Sequence, residues 1–165
     1  MKWHHVLGSG ALLTGLACQG EPRVGARTPP DSGFPGVQAR GAVAMGVDQY
    51  TSTHIFEPLP DGGVIELQRN AADSAGGVQI RQHMELIATQ FASGDFRLPG
   101  FVHDRPVPGT DVMAAKRSAV SYTVESRPRG AALRLQTSDP AAVAAIHQFL
   151  AFQRTDHHAG ARADS

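Results

Sequence analysis

Of the eight histidines in this chain, six lie beyond the first eighteen residues: His54, His83, His103, His147, His157 and His158. They are the residues whose type offers chemistry. Neutral imidazole ligates zinc or copper, and a thioether, available here from Met84 and Met113, selects cuprous copper. Their spacing fixes no site by itself. The sequence holds no His-Glu-x-x-His, no Cys-x-x-Cys, no Gly-x-Ser-x-Gly elbow and no glycine-rich phosphate loop ahead of a helix. A metal site for copper or zinc would have to be assembled by folding, from His83, His103, His147 and His157 with help from Met113 and Met84.

Each of these residues also has a structural reading. His83 borders the apolar stripe of Ile80 and Ile87, and His147 stands beside Ile146, so each can serve as a core-edge residue with one hydrogen bond. His157 and His158 close the last apolar segment, where a cation favours the helix macrodipole. Methionines more often fill core gaps than bind metals. His103 differs, because it sits between Phe101-Val102 and Asp104-Arg105 in a segment, Phe96 to Asp111, that reads as a long connection. Its large apolar residues argue for an ordered loop packed over the fold. Phe101, His103, Asp104 and Arg105 are thus the expected ligand or partner loop. A hydrolase or transferase would use Asp104 or Asp156 to orient His103 or His157 as a base, yet no nucleophile has a recognisable setting.

These residues must be positioned by a small set of elements. Val120, Tyr122 and Val124 alternate with polar residues, as do Leu133 and Leu135, which predicts a half-buried hairpin. Ile65 and Leu67 give the same signal earlier in the chain. Asp73 or Ser74 is expected to cap a helix whose stripe is Ile80, Met84, Ile87, Ala88 and Phe91, ending at Gly94. Ser138-Asp139-Pro140 starts a second helix with Val143, Ile146 and Leu150 inward.

The two halves repeat weakly. Gly63-Val-Ile-Glu-Leu-Gln68 corresponds to Ala131-Ala-Leu-Arg-Leu-Gln136, and Ile80-Arg-Gln-His-Met84 to Ile146-His-Gln-Phe-Leu150, over about 50–93 and 118–158. The expected fold is α+β: two ββα units forming a four-stranded antiparallel sheet with two helices on one face. Arg134, on the solvent side of its strand, is expected to be dispensable.

The N-terminal segment points to export. Val6 to Ala17 is apolar but too short to span a bilayer, and Gly15 and Ala17 are small at the positions a signal peptidase reads, so residues 1–17 are expected to be a signal peptide. Cys18, the single cysteine, follows that site and resembles a bacterial lipoprotein box. The chain is then expected to be held at the periplasmic side of a membrane through acylated Cys18; the alternative is a soluble secreted protein with a free thiol. Residues 18–41 are rich in Pro and Gly and read as a flexible tether, 42–158 as one domain and 159–165 as a disordered tail.

Composition excludes some partners. Acidic and basic residues number 15 each, which leaves no basic field to hold a phosphate backbone, so nucleic acid is not expected. A lone cysteine allows no internal disulfide.

Phe101-Val-His-Asp-Arg105 with Val107-Pro-Gly109, Gly94-Asp-Phe96, Met113 and Ala145-Ile-His-Gln-Phe-Leu-Ala-Phe-Gln-Arg-Thr-Asp-His157 carry a resemblance across most of Gly63 to His158. They resemble a family of small exported bacterial proteins and lipoproteins of uncharacterised function, some labelled aspartate carbamoyltransferase. That label implies a two-domain fold and a Ser-Thr-Arg-Thr phosphate motif, and this chain is too short for the one and lacks the other. The resemblance implies a family and no mechanism. Three functions follow from the residues: an exported binding or interaction module of unknown ligand, a histidine-based copper or zinc protein, and, with least support, a hydrolase or transferase.

Overall fold

Two β-hairpins share one sheet because their inner strands, not their outer ones, meet. The computed structural model describes residues 33–160. Cys18, the signal peptide, most of the tether and the last five residues lie outside that range. The elements are α1 (Phe34–Met45), β1 (Ser52–Leu59), β2 (Gly62–Arg69), α2 (Ser74–Ser93), α3 (Arg97–His103), α4 (Thr110–Ala115), β3 (Ser121–Arg127), β4 (Gly130–Gln136) and α5 (Pro140–Asp156). The sheet runs β1-β2-β4-β3 and every pair is antiparallel.

Register explains the pseudo-symmetry. Ile65 and Leu133 occupy equivalent places in the two sequence repeats and pair directly across β2 and β4, so the pseudo-twofold passes through that pair. Phe56 and Val124 extend the same row outward on β1 and β3. The fold is thus α+β, built of the units β1β2α2 and β3β4α5. Each helix reaches across to the other unit: α2 packs on β3 and β4, and α5 on β1 and β2. Ile80, Met84, Ile146 and Leu150 are fully buried in one core with Ile65, Leu133 and Leu135, so both helices cover the same sheet face. This exchange makes neither half able to bury its apolar stripe alone.

The helix starts and stops follow local chemistry. The Asp73 carboxylate accepts from the Gly76 N–H, and Gly94 ends α2 in the left-handed region at φ 82°. Asp139 accepts from Ala141 and Ala142 ahead of Pro140 at the start of α5. Gly63 permits the close seating of α5 on β2, since a Cβ there would lie 2.2 Å from Leu150 Cδ1.

Three expectations change. The tether reading ended at Gly41, yet Phe34–Met45 is a helix, with Pro35 in its first turn and Gly46 closing it at φ 78°. The connection Phe96 to Asp111 is not a loop throughout: Arg97–His103 is helical and α4 begins at Thr110. Phe96 anchors it, its ring centroid 4.4 Å from that of Phe91. Arg134 is not a free surface residue either. Its guanidinium donates to Asp61 and to the Gly63 and Leu135 carbonyls, tying the β1–β2 turn to β4.

Candidate functional site

The period of a strand puts His54 on the same face as Phe56, toward the helices. The 3.6-residue period of α2 puts His83 one step off the Ile80–Met84–Ile87 stripe, where it faces α1 instead of the sheet. His103 ends α3, and His157 caps α5. These four elements meet at one end of the core. His54, His83, His103 and His157 all line a single partly open cavity of about 80 Å³. Its walls are otherwise mainly apolar, with Phe56, Ile87, Phe91 and Phe149 prominent, and Gln49 and Gln153 add two amides. Helix α1 closes one side through Gly41, Ala44 and Met45.

A second, more polar pocket of about 180 Å³ adjoins it. Gln49, His54 and His157 line both, so these side chains form the partition. On the outer side lie Gln38, Ser52, Thr53 and His158, the last stacked on Phe34 with centroids 4.0 Å apart.

The imidazoles are in ring contact. His54 and His157 stack with centroids 5.3 Å apart, and His157 meets His103 edge-on at 5.1 Å. Burial holds their basicity down. Desolvation, with the neighbouring His83 charge adding to it, lowers the His54 pKa to about 4 against an opposing hydrogen bond that the ring donates to the Ser52 backbone carbonyl. Desolvation lowers His157 further, to about 3, reinforced by His54 and His103. His83 is lowered by burial against a backbone hydrogen bond with Ala44. At neutral pH these three rings are therefore uncharged.

Several polar atoms at this end have no protein partner: His83 Nδ1, His157 Nδ1, Gln49 Oε1 and Gln38 Oε1. Buried polar groups are rarely left so, because each unmade bond costs on the order of 1–3 kcal/mol.

His103 is the opposite case. It is 1 % exposed, and both ring nitrogens are engaged: Nδ1 lies 2.5 Å from Asp156 Oδ2 and Nε2 lies 2.9 Å from the Gln153 side-chain amide. Arg105 donates to the second Asp156 oxygen and sets its guanidinium over the Phe152 ring, 4.9 Å from the centroid. A carboxylate only accepts, so Nδ1–H donates to Asp156, and the Gln153 amide serves the Nε2 lone pair by turning its NH2 toward it. The chain Arg105–Asp156–His103–Gln153 thus runs from surface to cavity and locks α3 to α5. Asp156, not Asp104, is the acid that orients His103; Asp104 is exposed and turns the chain in the left-handed region at φ 52°. With Nε2 held by Gln153, His103 is not turned toward a hydroxyl nucleophile. Phe101 is half exposed on α3, on the surface.

The expected metal constellation is not assembled as a set. His83, His103 and His157 come together, but His147 donates from Nε2 to the Leu59 carbonyl at 2.8 Å and Met113 is fully buried in the core, and neither lines the cavity. Met84 is likewise fully buried in the core and does not line the cavity. Among the described residues no group of three His, Cys, Asp or Glu is placed to hold a metal ion. The member that sequence reasoning left out of the site is His54; its alternation with Phe56 was the available signal. No protein-family model, curated protein or solved structure matches the chain.

Proposed function

We propose that this domain is a binding module that takes a small, largely apolar molecule into the histidine-lined cavity, and that it does so on the exported side of a bacterial membrane, anchored through acylated Cys18. One observation carries the binding reading: an apolar cavity edged by polar atoms that have no partner within the protein. Binding sites for small molecules have this make-up, apolar walls with a few convergent polar groups that fix orientation. A core alone needs neither the void nor the unsatisfied atoms, since both lower stability. The anchoring reading rests on the apolar run Val6 to Ala17 and on Cys18 directly after it.

The test is ligand-observed NMR with benzene, toluene, phenol and indole on the purified full-length chain, alongside Ala44→Leu. Ala44 lines the cavity, and leucine would fill part of it. At least one compound should bind the wild type and raise its melting temperature, and Ala44→Leu should reduce that binding at least tenfold. Equal binding by both proteins, or none by either, would remove the reading. Zinc and cuprous copper, each added alone, serve as the counter-test. Stoichiometric metal binding abolished by His54→Ala or His157→Ala would favour a metal protein instead.

A further inference from the structure

The lining of the two adjoining pockets carries no lysine, arginine, aspartate or glutamate. A charged ligand group buried there would lose its hydration with no counter-charge in the lining to offset it. His83 and His54, which lack a counter-ion at the cavity, are held neutral by the same burial and offer no cation at physiological pH.

The unpartnered atoms narrow the ligand further. His83 uses one ring nitrogen on the Ala44 carbonyl, and Nδ1 is the atom left without a partner. A neutral imidazole that donates from Nε2 presents a lone pair at Nδ1. Gln49 Oε1 and Gln38 Oε1 are also unpartnered acceptors, at the partition and in the outer pocket. The inner wall, by contrast, is built of aromatic and aliphatic side chains. The site therefore asks for an apolar body with a donor at one end.

Resting on the cavity reading above, we propose that the ligand is an uncharged small hydrophobe with a hydrogen-bond-donating hydroxyl, the chemistry of a phenol. Its ring occupies the space among Phe56, Ile87, Phe91 and Phe149. Its hydroxyl donates to His83 Nδ1 or to Gln49 Oε1 at the partition.

Three probes of similar size separate the possibilities: phenol, toluene and benzoate, each titrated calorimetrically into the full-length chain at pH 7.5. Phenol should bind at least about tenfold more tightly than toluene, the factor expected from one buried hydrogen bond to an otherwise unsatisfied acceptor. Benzoate should not bind measurably. His83→Phe should bring the ratio of phenol affinity to toluene affinity down to about one; Gln49→Leu gives a second test should the first variant not fold. Toluene binding as tightly as phenol would overturn the hydroxyl assignment and leave the cavity reading standing. Benzoate binding more tightly than phenol would overturn the requirement for a neutral ligand. No binding by any of the three would overturn this proposal together with the cavity reading.

Discussion

His103 and Asp156 stand 53 residues apart in sequence, and His103 Nδ1 lies 2.5 Å from Asp156 Oδ2. The contact joins the end of α3 to the last turn of α5 and fixes the cavity wall between them. Gln153, one turn earlier on α5, holds the other nitrogen. The ring is thereby clamped on both sides.

Removing that acid should loosen the clamp. Asp156→Asn is expected to cost about 1–3 kcal/mol, because the buried Nδ1–H then faces an amide and Arg105 loses its partner. Asp104→Asn, at an exposed left-handed position that asparagine tolerates, should stay within about 0.5 kcal/mol. Urea denaturation of both variants checks this; equal losses would mean that the buried pair has no special weight.

Stability should depend on pH through the cavity histidines. His54, His83 and His157 titrate lower in the folded protein than their ordinary value of 6.5, to about 4 and about 3 for His54 and His157. Below 6.5 the unfolded chain binds protons that the folded one does not, so stability is full above that pH and falls as pH drops toward 4. Each fully buried histidine would contribute at most about 1.4 kcal/mol per pH unit, and partial exposure reduces this. Melts from pH 8 to 4.5 should show the decline, and His54→Phe should flatten it. A midpoint independent of pH between 7 and 5 would contradict the neutral-imidazole assignment.

Packing gives a third expectation. Leu150→Ala should cost about 2–5 kcal/mol, as a fully buried residue of the shared core. Gly63→Ala should cost about 1–3 kcal/mol by overpacking, since the new methyl meets Leu150 and the Glu57 carbonyl, 2.8 Å away. Arg134→Ala is expected to cost about 1–2 kcal/mol, because the Gly63 and Leu135 carbonyls and Asp61 all lose a donor. Chemical denaturation ranks the three, and Arg134→Ala within about 0.3 kcal/mol of wild type would show those bonds to be idle.

Location is checked by one substitution. If Cys18 is acylated, Cys18→Ser should move the protein from the membrane fraction to the soluble one, since a lone acyl chain holds marginally and the several chains of a bacterial lipoprotein hold firmly. Wild-type protein found soluble after fractionation would end the anchoring claim.

The hairpins, both long helices and their caps were readable in the sequence because each is set by local periodicity and by residues such as Asp73, Gly94, Asp139 and Pro140. Helix α1 was not, because the glycine and proline content of its surroundings outweighed a weaker pattern. Val37, Gly41 and Met45, spaced by four and buried on one face, together with Pro35 and Gly46 at its ends, were the signal available. The candidate site was half legible. His83, His103 and His157 stood out by type, whereas His54 joins them through strand alternation and α1 through tertiary packing. His147 reads the same as His83 in sequence. Only the fold separates them, by placing the Leu59 carbonyl beside one and the cavity beside the other.

The most direct measurement is the set of intermolecular NOEs between the tightest-binding of toluene and phenol and the full-length chain. Ligand ring protons should show NOEs to the Ile87 methyls and to the Phe56 and His54 rings, all of which line the cavity. NOEs instead to Val43, Leu86 or Phe101, which are among the apolar side chains exposed on the surface, would contradict the claim that the cavity is the binding site.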